Sequence, residues 1–289
     1  MSVLNGGLSG LNGSGVPARS RPRLTRLGRL VAWRSSALWL GLAGLAAFGL
    51  VWQLGVWLNS PVIGKVPSPV AVARALVGLA GSAGYWSSWY ASTVRVAWGF
   101  AAALVTGIPL GLLMASGPKV KALLFTPFEI LRPIPPLAWV PLSILFWPTQ
   151  DLSIEFVIFL GAFYTVVLNV VGGAEQIDRR HVLAARSLGA NRWTIFRRVI
   201  LPATLPSVAT GAVVGMGITW EVVVAAELIS GGGQTATGGG LGYLLWNSYQ
   251  GGAIPQVVVC MISLGVAGYV SSAIVRRVSD RLMPWRRAG

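Results

Sequence analysis

The sequence predicts an all-α, polytopic membrane bundle. Three observations carry that expectation. Long continuous apolar stretches recur along the chain, the mean hydropathy is +0.67, and only 11% of residues are charged against 54% hydrophobic. A soluble domain needs far less apolar surface than this. Because the runs are continuous rather than alternating, helices are expected and not barrel strands, and each helix satisfies its own backbone in lipid.

A Gly-, Ser- and Arg-rich stretch over 1–36 comes first, with Arg19, Arg21, Arg23, Arg26, Arg29 and Arg34. It has too little apolar periodicity to fold alone and is read as an unstructured basic tail. The next apolar stretch, Ala37–Leu58, has the length of a span and exceeds that of a cleaved signal, so it is read as the first retained span. Five further spans follow at Ala91–Ser116, Leu123–Trp147, Ser153–Gly172, Ala203–Ile229 and Ala253–Val275. Six crossings result within a membrane domain over 37–275, and a second basic tail occupies 276–289.

Basic residues orient the bundle. With the amino terminus inside, all of the 23 Lys and Arg except Lys65, Arg74, Arg95 and Arg132 fall in cytoplasmic segments. Both termini are therefore expected in the cytoplasm. The same placement explains the net charge of +15 without nucleic acid, for which no interleaved aromatic or binding motif is present. The single Cys260 lies in an apolar run and excludes an internal disulfide or cysteine metal cluster. The single His181 leaves little for a histidine-based zinc site or triad.

Between the fourth and fifth spans lies AEQIDRRHVLAARSLGANRWTIFRRVILPATLP, too polar to cross lipid yet helical in character. Ala184, Ala185 and Leu188 share a face, Gly189 can end a first helix, and Asn191 can cap a second. On physical grounds this is a rigid cytoplasmic protrusion, a plain loop, or an amphipathic helix on the membrane surface.

The spacing Leu183-Ala184-Ala185, Gly189, Val199, Leu201-Pro202 resembles the EAA loop of permease subunits of type I ABC importers, the binding-protein-dependent transport family. The likeness extends through Ser92-Thr93-Val94-Arg95 with Gly99, Gly107-Ile108-Pro109-Leu110-Gly111, Leu131 to Ala138 (LRPIPPLA) and Asn169. It continues in Trp220-Glu221 through Glu227, Gly239 to Tyr243, and Trp246-Asn247. These look like the branch serving nitrate, sulfonates, taurine and bicarbonate.

The resemblance implies a coupling loop over about 175–202, with Leu183, Ala184, Ala185, Leu188, Gly189 and Ala190 inserting into a separate ATP-binding cassette subunit. ATP and Mg would be bound by that partner, with no cofactor or metal in this chain. It also implies a periplasmic or lipid-anchored solute-binding protein and a place in the bacterial inner membrane. A permease half of six spans needs a partner to enclose a pathway, and twofold symmetry is the commonest closed assembly, so a second copy completing a homodimer is expected. Leu183 stands where the family has Glu, which removes any salt bridge made by that residue.

Ionisable residues at bilayer depth are costly and face the interior or water. Arg95, Glu129, Arg132, Glu221 and Glu227, with Trp220 beside them, are the candidates for a translocation path. Arg95 meets an incoming anion near the outer end of its span, snorkels to the interface, or pairs with a glutamate. Arg132, at the start of the third span near the cytoplasm, is read first as an interfacial topogenic charge and otherwise as part of the path. Glu221 and Glu227 are six apart on one helix and cannot line one face. Pro133, Pro135, Pro136 and Pro141 interrupt the third span, bending it for packing or opening it along a path. The glycines of Gly231–Gly240 lack the Lys-Ser/Thr ending of a phosphate-binding loop and are read as an outer connection.

The competing classes are a membrane-embedded enzyme or scaffold, for which the spans offer few converging polar groups, and an autonomous channel or carrier, which has no use for a coupling loop.

Overall fold

Pro, Ser, Thr, Asn and Gly mark nearly every helix boundary along the chain. The computed structural model describes residues 26–58, 66–230 and 239–283, with side chains from residue 39 onward within them. Residues 1–25 of the first tail, 59–65, 231–238 of the glycine loop and 284–289 of the second tail lie outside the described residues. Among the described residues there are helices and turns and no strands.

The helices, in order, are α1 (Arg26–Trp57), α2 (Pro69–Ala80), α3 (Ala83–Met114), α4 (Pro118–Leu131), a 3-10 turn (Pro136–Trp139) and α5 (Val140–Phe146). They continue as α6 (Gln150–Glu175), α7 (Arg179–Ser187), α8 (Arg192–Ile195), a π turn (Phe196–Ile200), α9 (Leu201–Ile229), α10 (Gly240–Gln250) and α11 (Ile254–Leu282). Ser68, Ser82 and Thr149 accept the amide hydrogens of Ala71, Tyr85 and Leu152, closing the starts of α2, α3 and α6.

Among the described residues, five stretches are long and apolar enough to cross a membrane: Trp39–Trp57, Ala83–Met114, Gln150–Glu175, Arg192–Ile229 and Ile254–Leu282. The segment up to Gly55 forms one unit and the remainder another. Helix α1 begins at Arg26, inside the stretch read as an unstructured tail. Arg, Leu and Ala favour the helix and extend it beyond the apolar length. Helix α11 likewise runs on to Leu282 and carries Arg276, Arg277 and Arg281 out of the second tail.

The expected third span, Leu123–Trp147, is not one helix. It is broken into α4, a Pro-rich turn and α5. Pro133, Pro135 and Pro136 cannot donate backbone hydrogen bonds, and their rings clash with the preceding turn, so a helix continued through them would be torn. Two short helices, α2 and α10, were not anticipated. Each is too short to register as a crossing.

Helix α6 is the centre of the second unit, packed between α3 and α9. A Cβ on Gly99 would approach Ile158 Cγ2 to 2.7 Å, and one on Gly111 would approach Val170 Cβ to 2.7 Å. On the other side, a Cβ on Gly211 would meet Asn169 Cβ at 2.7 Å. Small residues let helix backbones approach this closely, which is how helices associate where lipid removes the usual hydrophobic drive. Val166, Val170 and Val208 form one buried cluster, and Met114, Phe128, Val167 and Val171 another.

These contacts also set direction. Gly99 meets Ile158, Gly107 meets Val166, and Gly111 meets Val170, so α3 and α6 run parallel in a fixed register. Gly161 meets Val222 while Gly173 meets Ser207, so α9 returns antiparallel. In that register Met114 is level with Gly173, about 35 Å along α6 from Gln150 at 1.5 Å per residue. The connection from Pro118 to Trp147 must carry the chain back over that height. Phe128 packs on Phe163 and Tyr164, in the middle of α6, so the break that follows Leu131 falls near mid-height.

Candidate functional site

Two constellations stand at opposite ends of the second unit. At the end where α3 and α6 finish and α9 starts, the chain leaves the bundle as a hairpin of α7 and α8. Asp178 accepts the amide of Arg180 to start α7, and Asn191 Oδ1 accepts the amide of Thr194 at 2.8 Å to start α8. Between them Gly189 has φ 79°, Gly189 donates to the Arg186 carbonyl at 2.9 Å, and Ala190 donates to the Ala185 carbonyl at 3.0 Å. This pair of bonds is a Schellman closure, and its left-handed residue is most readily glycine. The breaks expected at Gly189 and Asn191 are where the sequence places them.

The hairpin displays apolar side chains that nothing among the described residues covers. Leu183 is 58% exposed, Leu188 87% and Trp193 66%. Ala184 is exposed, and Ala185 and Ala190 are half-buried. Around them stand Arg179, Arg180, Arg186, Arg192, Arg197 and Arg198. His181 is exposed on α7. Close by, Lys121 of α4 forms an ion pair with Glu175 of α6 and lies over the Phe125 ring, tying the start of the broken segment to the root of the hairpin. A single exposed leucine is ordinary; here two leucines and a tryptophan are exposed on one rigid, capped protrusion.

At the opposite end the polar groups are hidden. Arg95 of α3 and Glu227 of α9 are both 0% exposed, and Arg95 Nη1 donates to Glu227 Oε1 at 2.8 Å. Arg95 Nε donates to Asp151 Oδ1 at 2.9 Å. Ser92 Oγ donates to Glu227 Oε1 at 2.8 Å and accepts the Leu241 amide at 2.8 Å, while the Gly242 amide donates to Glu227 Oε2 at 2.9 Å. Glu227 thereby caps the N-terminus of α10, where a carboxylate is favoured by the free amides and the helix dipole. Gly240 has φ 78°, and any Cβ there would run into the Glu227 carboxylate. Four helices are joined at this point by one buried charge cluster.

This geometry sorts the candidate path residues. Arg95 is paired with two carboxylates, Asp151 and Glu227. Trp220 is buried and donates from Nε1 to Ser271 Oγ of α11 at 2.9 Å, which makes it an α9–α11 lock. Glu221 points away from Glu227 and is exposed, as are Glu129 and Arg132. Among the described residues none of these three enters an ion pair. Arg132 caps α4 at the break.

Asp151 was not anticipated. Its signal was available as an acidic residue at the head of an apolar span in a strongly basic chain. The hydrogen bonds from Ser92 and from the start of α10 had no signal in spacing.

Residues 107–287 match the family described as binding-protein-dependent transport system inner membrane component. The chain is 37% identical over 243 residues to a protein of Methanocaldococcus jannaschii named as an ABC transporter permease, covering 82% of this chain and 88% of that one. It is 31% identical over 249 residues to the nitrate import permease protein NrtB of Synechocystis sp., covering 83% of this chain and 87% of that one. In fold it is similar to a crystal structure of a bacterial alginate ABC transporter in complex with an alginate pentasaccharide-bound periplasmic protein. The TM-score is 0.54 at 16% identity, with 87% of this chain and 98% of that chain covered.

Proposed function

From the premise that the chain belongs to the binding-protein-dependent inner membrane component family and is a non-enzymatic permease subunit of an ABC importer, we propose that it moves a small anion and is driven through the α7–α8 hairpin. The carrying observation is the exposure of Leu183, Leu188 and Trp193 on a hairpin stiffened by Gly189 and Asn191. A separate ATP-binding cassette subunit covers that face, and ATP and Mg reside there. Closure of the ATPase pushes on the hairpin, and α6 and α9, rooted on either side of it, transmit the movement.

The chain crosses the membrane six times, with the broken α4–α5 segment as the third crossing. Its parallel neighbours α3 and α6 support this reading, because their connection has to return across about 35 Å by the helical rise where the hydrocarbon core is about 30 Å. The hairpin, with its arginines, is cytoplasmic, as are both termini. A second copy completes the pathway, since one permease half does not enclose a path, and a solute-binding protein delivers the cargo from outside.

The cargo is of the nitrate, sulfonate, taurine or bicarbonate class, a reading supported by the likeness to a nitrate import permease. Arg132 is the cation along the way. It sits exposed at a proline break near mid-height, while the other intramembrane arginine is neutralised by Asp151 and Glu227. Broken helices with freed backbone groups are a recurring construction of transport paths.

Affinity recovery of the tagged chain from its native membrane, followed by ATPase assay with each anion and the periplasmic fraction, tests the reading. Recovery of an ATPase stimulated by receptor and one anion is expected. A chain that purifies alone and moves solute without ATP would contradict it.

A further inference from the structure

Near the hairpin end, α9 and α11 part around a recess of about 230 Å3. Its α9 wall is Ala209, Thr210, Val213 and Val214, and its α11 wall is Arg276, Ser279 and Asp280. Farther along, the same helices are locked by Trp220 and Ser271, so the recess is the open end of a closed seam. The apolar Val213 and Val214 lie toward the middle of the bundle. Ser279 and Asp280 lie toward its basic end, with Arg277 and Arg281 exposed nearby.

Arg276 and Asp280 are four apart on α11 and therefore share a face, with Cβ atoms about 6 Å apart. Among the described residues neither enters an ion pair. A cation and an anion thus stand side by side on α11, neither paired with another charged residue among the described residues, and on the proposed six-crossing topology this end of α11 lies at headgroup depth. Apolar wall adjoins them on the membrane side. A basic pocket between membrane helices on the cytoplasmic side suits a phosphate headgroup. Asp280 narrows the choice, because a carboxylate repels a purely anionic headgroup and pairs with an ammonium.

We propose that this recess holds one phospholipid whose headgroup carries both a phosphate and a primary ammonium, as in phosphatidylethanolamine. Arg276 pairs with the phosphate, and Asp280 accepts from the ammonium. Ser279 donates to a phosphate oxygen. Thr210, whose hydroxyl donates to the Pro206 carbonyl at 3.1 Å, keeps its lone pairs free for the ammonium. Val213 and Val214 take the start of an acyl chain. The lipid thereby wedges α9 against α11 at the root of the hairpin. The leaflet assignment rests on the proposed cytoplasmic orientation of this end, while headgroup selection does not.

The test is native mass spectrometry of the full-length chain in mixed micelles holding equal phosphatidylethanolamine and phosphatidylglycerol. The wild-type chain is expected to retain one phosphatidylethanolamine, favoured about fivefold, and Arg276→Gln to lose about fivefold of both lipids, in line with the contribution of a single headgroup-facing basic residue. Asp280→Asn is expected to reverse the preference towards phosphatidylglycerol, and Arg276→Lys to retain lipid. All these positions are exposed or half-buried, and unchanged melting temperatures confirm folding. Equal retention by wild type, Arg276→Gln and Asp280→Asn, or a wild-type preference for phosphatidylglycerol, overturns the proposal. So does displacement of the lipid by inorganic phosphate alone, or loss of a dimer without change in lipid, which would give the recess to a free anion or a second copy. Orientation is read separately: a membrane-impermeant thiol reagent should fail to reach Leu188→Cys in intact cells, and labelling there would undo the leaflet assignment while leaving the headgroup result standing.

Discussion

The two ends of the second unit spend their charges in opposite ways. At the α10 end, Arg95, Asp151, Glu227 and Ser92 are turned inward and satisfy one another. At the hairpin end, six arginines face outward and apolar side chains stand exposed among them. The buried cluster holds four helices together and has little left to offer a ligand. The hairpin leaves Leu183, Leu188 and Trp193 exposed. On the proposed reading, the exposed Arg132 at the helix break lines the path and the caged Arg95 does not.

The difference can be broken most severely at Arg95. Arg95→Ala leaves Glu227 buried without its cation, and removing one partner of a buried pair costs about 3–5 kcal/mol. Loss of membrane-inserted yield is expected, measured by fluorescence-detected size exclusion. The double variant Arg95→Met/Glu227→Gln should recover part of it, because the fully buried position 227 no longer carries an uncompensated charge, while Asp151 keeps partial access to solvent.

Gly189→Val comes next. A β-branched residue at φ 79° is strained by about 1–3 kcal/mol, and the closure of α7 is lost. ATP-driven uptake should vanish while insertion and helicity, followed by circular dichroism, persist. Normal uptake would remove the hairpin from coupling.

Arg132→Ala should lower uptake of the transported anion about tenfold, equivalent to about 1.4 kcal/mol of lost binding, with yield unchanged because the side chain is exposed. A fall in yield matching the fall in uptake would make this arginine structural as well. The smallest effect is expected for Trp220→Phe, which forfeits one hydrogen bond to Ser271, about 1 kcal/mol. A modest drop in melting temperature with transport intact would fit, whereas loss of transport alone would return Trp220 to the path.

The sequence made local features legible and tertiary ones obscure. Gly189 and Asn191 act within a few residues of themselves, so the hairpin could be read directly. The placement of α6 and α9 followed from uninterrupted apolar length. Leu123–Trp147 misled because hydropathy averages over prolines that break the backbone without lowering apolarity. The partnership of Arg95 with Asp151 spans 56 residues and a parallel packing of α3 on α6. Nothing in the local pattern of either segment encodes it. The bonds from Leu241 and Gly242 are donated by backbone amides, which carry no sequence signature.

The most direct test of coupling through the hairpin places a single reactive thiol at its tip. Cys260 is buried, so Leu188→Cys on the otherwise unaltered chain supplies the accessible sulfur, and a thiol-reactive fluorophore there reports burial during co-purification with the ATPase. Coupling through the hairpin predicts rapid labelling of the isolated chain and strong protection once the ATPase is bound, lost again for Leu188→Cys combined with Gly189→Val. Equal labelling with and without a functional ATPase would contradict it.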